Sequence, residues 1–283
     1  MILFLSPCHG VGSRTTERYA IPMIEVAPVS KTSQESKDPV LSAVDMDLAP
    51  SDLSVRLKLA IACRKLAQDG HCATLAGQIT VRHDQESYWT APLKEGFANV
   101  TQSSVIRVSN KMNVVEGSAS PNPGMQFHLW IYNSRPDVEA IVHTHPPYAS
   151  ALSMTGRSLA VAHMDAAVFY EDCGHLRVWP GVPIADEEGR LITEALEDKR
   201  AVLLDNHGFL TAGATLEEAV YLAVLFENAA RLQMIAEATG TVKAIQPGPA
   251  QDAHDFLLQT PVINGTFNSW AHEILRVCPD VTS

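Results

Sequence analysis

Apolar positions recur along this chain in two registers. Between residues 51 and 68, Leu53, Leu57, Ile61 and Leu66 fall near helical spacing, with Ser51 placed as an N-cap and Asp69-Gly70 as a stop. Short runs follow at 79–82 and 87–90, around the turn-like Asp84-Gln85, and at 105–108 and 113–116; these predict strands. Residues 126–132 predict a helix that carries His128. The runs Ala140-Ile141-Val142 and Ala201-Val202-Leu203-Leu204 are continuously apolar and short, as in strands buried on both faces. A short helix over 188–196 lies between them. Thr215 caps a long helix over 216–237, with Glu217 and Glu218 in its first turn, favourable against the helix dipole. Ala219, Leu222, Ala223, Phe226, Ala230 and Leu232 make its buried face, and Gly240 ends it. From Gln246-Pro247-Gly248-Pro249 onward the chain reads as loop-rich, with a final helix over 268–277. This order predicts an α/β fold with an antiparallel or mixed sheet between helical layers.

The pattern divides the chain into a variable segment over 1–49, a main domain over 50–240 and a C-terminal extension over 241–283. Residues 30–37 are polar and predict a mobile tail, and Met23 competes with Met1 as the natural start. There is no internal repeat and no Gly-rich phosphate loop.

Composition narrows the function. With 283 residues, 46% of them hydrophobic, the chain can hold one large core or two small ones. A net charge of -11 argues against nucleic acid as a partner. No run approaches the roughly 18 apolar residues of a membrane span. Ile2-Leu3-Phe4-Leu5 is too short for a signal-peptide core and no basic segment precedes it. The five cysteines form no Cys-x-x-Cys pair, which predicts reduced thiols and a cytoplasmic location. Cys63 reads as core packing, and Cys173 as structural rather than nucleophilic.

The candidate chemistry sits where two apolar runs end. In Glu139-Ala140-Ile141-Val142-His143-Thr144-His145-Pro146-Pro147 the two histidines are two residues apart, so a strand presents both imidazoles on one face. The prolines stop the ladder there. The second run leads into Asp205-Asn206-His207-Gly208, where Gly208 permits a sharp turn and close backbone approach. Three imidazoles leave a fourth coordination position open, the arrangement of a catalytic rather than a structural metal site.

The stretch from Phe127 to about Met234 resembles the class II aldolase/adducin family. The matching residues are Phe127-His128, Ser134-Arg135-Pro136-Asp137, His143-Thr144-His145, Leu203-Leu204-Asp205-Asn206-His207-Gly208 and Gly213-x-Thr215-x-Glu217-Glu218-Ala219. A looser match runs from Leu53 through Gly77-Gln78-Ile79-Thr80-Val81-Arg82 and Trp89-Thr90-Ala91-Pro92. The resemblance implies a three-layer α/β/α fold with a central mixed, mainly antiparallel sheet. It implies one divalent metal on His143, His145 and His207, zinc first, with manganese or iron as alternatives. It also implies a homotetramer with active sites lined by two subunits, and places His163 close to the metal.

The departures are as informative. Sugar-phosphate aldolases of the family carry a catalytic glutamate where this chain has Gly124, which cannot move a proton. Their Ser-Ser phosphate contact reads Asn122-Pro123, their Gly-Asn turn Gly77-Gln78, and their Thr-Pro-Thr-Gly-like turn Thr90-Ala91-Pro92-Leu93. The metal site is kept and the phosphate equipment is not.

His163 is therefore a candidate for proton transfer, with Glu116 and Tyr170 as further catalytic candidates. Gln78, Arg82, Thr90, Asn122 and Gly124 are candidates to meet substrate, Arg82 by bidentate contact with a carboxylate. His128 reads as structural or as orienting a metal ligand, and Glu171-Asp172 as a polar loop face. The expectation is a metal-dependent carbon–carbon lyase acting on a non-phosphorylated hydroxy or oxo carboxylate, decarboxylation ahead of retro-aldol cleavage. A non-haem iron oxygenase on a hydroxy-aromatic or 2-oxo acid is the second reading. A non-catalytic adducin-like interaction module is the third.

Overall fold

The computed structural model describes residues 53–71, 74–181 and 186–283. The expected mobile segment, with Cys8 and Met23, lies outside the described residues, as do Ser51 and Cys72. The first helix, α1 (Val55–Gln68), is capped by Ser54, whose Oγ accepts the N–H of Leu57 at 3.2 Å, and not by Ser51. Strands β1 (Gln78–Arg82), β2 (Ser87–Thr90), β3 (Ile106–Ser109) and β4 (Val114–Glu116) follow as an antiparallel meander. Then come α2 (Met125–Ser134), β5 (Ala140–Thr144), α3 (Pro147–Ser153), a 3₁₀ segment (Met164–Phe169) and β6 (Cys173–Leu176). The chain continues through α4 (Asp186–Leu196), β7 (Ala201–Leu204), β8 (Gly208–Gly213), α5 (Leu216–Glu237), α6 (Pro247–Leu257) and α7 (Thr260–Val277).

The strands form one eight-stranded sheet in the order β4-β3-β2-β1-β5-β8-β7-β6. All neighbours are antiparallel except β6 and β7. The three-layer α/β/α architecture with a mixed, mainly antiparallel sheet is the expected one. β6, β8, α3 and the 3₁₀ segment were not evident from the pattern of the chain.

Period-two alternation divides the core. Ala140, Val142, Leu203 and Phe209 face a layer made by α1, α5 and α7. Ile141, Val202, Leu204 and Leu210 face α2 and α4. Phe209 and Phe226 stack with centroids 4.4 Å apart, pinning α5 to the sheet centre. Truncating such a buried aromatic costs about 3–5 kcal/mol. His143 lies in phase with Ile141, so it points to the α2/α4 side.

The C-terminal extension is more helical than its prolines suggest. Pro247 occupies the first turn of α6 behind the cap Gln246, and Pro261 the first turn of α7. A first-turn proline loses no helical hydrogen bond, since that N–H would be unpaired anyway. The final helix starts at Thr260, not at residue 268. Ile263, Phe267, Ala271 and Ile274 are buried in the same core as α1 and α5. Trp270 packs on its own chain, with its ring 6.5 Å from that of Tyr221 and beneath the Lys65 ammonium at 5.0 Å.

Candidate metal centre

β5 and β8 pair so that His143 lies opposite Leu210 and Thr144 opposite Phe209. His143 Nδ1 lies 2.8 Å from the Phe209 carbonyl oxygen, which can only accept. Nδ1 therefore carries the proton, and Nε2 presents its lone pair. His145, two residues on, brings its own Nε2 to 2.9 Å from that of His143. His207 comes from the turn between β7 and β8. Nitrogens of all three imidazoles lie within 4.8 Å of one another, and the ring centroids are 4.7 to 4.8 Å apart.

The turn that delivers His207 differs from the expected one. Asn206 bends the chain, with φ at +58°, a conformation asparagine tolerates better than most residues. Gly208 begins β8 instead. Its role is close approach: a Cβ there would lie 2.7 Å from the Thr144 carbonyl oxygen and 2.8 Å from His145 Cδ2.

Burial keeps the donors neutral. His143 is held well below the ordinary histidine range by desolvation, reinforced by the neighbouring His207 and His145. His207 is lowered to about 4 by burial and then by His145, and His145 is lowered by burial. Three neutral imidazoles converging with one set tautomer fit a borderline divalent cation.

The triad opens into a cavity of about 500 Å³. Leu75, Leu93, Pro123 and Trp179 supply apolar walls; Gln78, Asn122 and Asn206 supply the polar lining. No Lys or Arg lines it among the described residues. Gly124 borders the same space. Asn122 holds this rim, donating from Nδ2 to the Leu75 carbonyl and accepting the Gly124 N–H, both at 3.0 Å. The Gln78 amide nitrogen donates to the Ala76 carbonyl at 2.5 Å, while its Oε1 has no hydrogen-bond partner among the described residues. Gln78, Asn122 and Gly124 thus join His143, His145 and His207.

The other candidates do not. Arg82 donates to the carbonyls of Tyr132, Arg135 and Val138 and lies over the Tyr132 ring, so its guanidinium is committed to the scaffold. Thr90 is buried with its hydroxyl donating to Ile79. Glu116, on the edge strand β4, pairs with Arg56 and Arg107. His163 caps the 3₁₀ segment, accepting the Asp165 N–H at 3.3 Å, and lines a separate groove beside α5. Tyr170 ends the same segment. Within one chain neither His163 nor Tyr170 lines the triad cavity. His128 is fully buried, with Nδ1 2.8 Å from Thr80 Oγ1. The Cys173 thiol is pushed up to about 12 by burial, which keeps it protonated and unreactive.

One residue was missed. Glu188, in the first turn of α4, is only 3% exposed, and its Oε1 lies 3.5 Å from Nδ1 of His207. Burial raises its carboxyl to about 7. The sequence did hold a signal: Glu188, Ile192 and Leu196 recur every four residues and share the buried face of α4. A glutamate in phase with an apolar stripe needs a partner.

The model of the Class II Aldolase and Adducin N-terminal domain matches residues 57–234. The chain is 34% identical over 208 residues to the 4-hydroxy-3-prenylphenylpyruvate oxygenase/4-hydroxy-3-prenylbenzoate synthase of Streptomyces roseochromogenus subsp. oscitans, across 70% of this chain and 73% of that one. It is 28% identical over 238 residues to the 3,4-dihydroxyphthalate decarboxylase of Arthrobacter keyseri, across 78% and 93%. Among solved structures, the L-fuculose 1-phosphate aldolase from Glaciozyma antarctica PI12 superposes with a TM-score of 0.75 at 26% identity, over 86% of this chain and 99% of that one.

Proposed function

Because the chain belongs to the class II aldolase/adducin family, we propose that it is a lyase that uses one divalent metal ion, zinc first, to decarboxylate a non-phosphorylated hydroxy or oxo carboxylate. The observation that carries this reading is the cavity itself. Three neutral imidazoles border a space with apolar walls and, among the described residues, no cationic side chain to receive a phosphate.

His143, His145 and His207 would hold the ion. An ion bound there would supply Lewis-acid stabilisation of the negative charge that develops when a C–C bond next to an oxygen-bearing carbon breaks. Leu75, Leu93, Pro123 and Trp179 suit the flat face of an aromatic ring. Gln78 Oε1 offers an acceptor to a substrate hydroxyl. Decarboxylation needs no base to remove a hydroxyl proton, whereas retro-aldol cleavage does. The absence of a carboxylate at position 124 favours the former. The kinship with a 3,4-dihydroxyphthalate decarboxylase supports the same choice.

A second reading has one specific support: the Streptomyces relative is named an oxygenase. The intact triad weighs against a non-catalytic adducin-like module. For assembly we propose a homotetramer, supported by family kinship and by Met164, Leu232 and Ile235, large apolar residues exposed near the groove beside α5.

The test is a screen of hydroxy-aromatic carboxylates and 2-oxo acids, with and without chelator, following CO2, aldehyde and O2. Metal-dependent CO2 release without O2 uptake is the expected result. Stoichiometric O2 uptake selects the oxygenase; aldehyde release without CO2 selects retro-aldol cleavage.

A further inference from the structure

We propose that Glu188 is the positioning carboxylate of the metal centre: it accepts the Nδ1–H of His207, aims Nε2 of that ring into the triad, and supplies negative charge that Gly124 cannot. The inference rests on the metal reading above.

Three observations lead there. Oε1 of Glu188 stands 3.5 Å from His207 Nδ1, a few tenths of an ångström beyond hydrogen-bond length. The side chain is 4% exposed, and Oε2 has no hydrogen-bond partner among the described residues. No Lys or Arg pairs with it among the described residues; its ion-pair contact there is His207. A buried carboxylate without a firm partner is costly by itself, so a role only in folding does not explain it.

A divalent ion on three imidazoles supplies the missing cation. Neutral histidines bring no charge to offset it, and a carboxylate behind one ligand fixes that ring's tautomer and raises its basicity. His143 has the Phe209 carbonyl in that place. Glu188 gives His207 the equivalent support, with a full charge. The fold holds it there: Gly189, the next residue, leaves room for Trp130, where a Cβ would stand 2.4 Å from the ring. That contact lets the first turn of α4 close on α2 and carries Glu188 inward.

The test uses the whole protein and zinc itself, with affinity measured by competition against a chromophoric chelator and the melting temperature recorded without metal. Glu188→Gln, which keeps shape and acceptor but removes the charge, is expected to bind zinc 10- to 100-fold more weakly. Its metal-free melting temperature is expected to equal or exceed that of the unaltered protein, because an unpartnered buried carboxyl has been removed. Affinity within threefold of the unaltered protein overturns the proposal, and does so most plainly if the metal-free form is also less stable, since that assigns Glu188 to the scaffold. If E188Q does not fold, Glu188→Asp retains the charge but withdraws it by one methylene. A three- to tenfold loss of zinc affinity is then expected, and unaltered affinity contradicts the role. An unaltered protein that binds no zinc, manganese or iron overturns the underlying metal reading instead.

Discussion

A Cβ built on Gly124 would lie 2.7 Å from Nε2 and 3.1 Å from Cδ of Gln78. The two positions share one volume beside the triad. The sugar-phosphate aldolases that this chain resembles place an asparagine at the position of Gln78, shorter by one methylene, and a glutamate at that of Gly124. Here the longer amide fills the space and the glycine makes room for it. The two positions are therefore expected to tolerate substitution only as a pair.

This coupling is measurable. Gly124→Ala is expected to lower stability and raise KM in the unaltered background, and to do neither when combined with Gln78→Ala. A double-mutant cycle should give a coupling of about 0.5–3 kcal/mol. Additive effects would show that the two positions do not compete.

Gly208→Ala tests the close approach behind the triad. The neighbours are the Thr144 carbonyl and the His145 ring, and backbone cannot swing aside as a side chain can. The expected cost is about 1–3 kcal/mol, with a parallel loss of bound metal because His145 is displaced. Full stability and full metal content would contradict the geometry.

Substrate charge gives a third prediction. L-fuculose 1-phosphate and L-ribulose 5-phosphate should not be turned over, and Gly124→Glu should not create that activity, because the described lining of the cavity offers no cationic side chain to a phosphate. Efficient cleavage of either would refute the non-phosphorylated assignment.

Acid stability should depend on His71 and His128. His71 is lowered to about 3 by burial and then by nearby Lys65; His128 is lowered to about 3 by burial. Unfolded, both would bind a proton near pH 6.5. Between those values the unfolded chain holds more protons. Their contribution is therefore fully present above about pH 6.5 and lost as pH falls toward 3, by up to about 1.4 kcal/mol per pH unit for each. Urea unfolding of chelated protein at pH 7 and pH 5 checks this, with His128→Gln expected to flatten the slope. Equal stability at the two pH values would contradict it.

In solution the protein should be a tetramer, and Ile235→Glu should lower its mass in light scattering. A monomer at micromolar concentration would reject the assembly. Truncation within α7 is a poor test, because Phe267, Ala271 and Ile274 belong to the core and their loss would unfold the chain.

Much of this was legible in the chain because the signals were local. His143 and His145 share a face by strand period alone, and the two apolar runs did become strands in the interior of the sheet. Tertiary facts were not legible. Arg82 has the chemistry to meet a substrate carboxylate, but three backbone carbonyls hold its guanidinium in the scaffold. Glu116 and His163 have suitable chemistry, but the topology places one on the edge strand and the other beside α5. Pro247 and Pro249 read as loop, although the first turn of a helix accepts proline. Gly208 is the residue whose type signals a turn, whereas the positive φ that makes the turn belongs to Asn206. Glu188 was visible in principle, in phase with Ile192 and Leu196, but only the fold shows His207 behind it.

The central claim is that His143, His145 and His207 hold one catalytic divalent ion, and metal analysis of protein purified without chelators tests it most directly. The account predicts close to one equivalent per chain in the unaltered protein, and loss of both metal and activity in a folded His145→Ala variant. Full metal content in that variant, or full activity in protein stripped of metal, would contradict it.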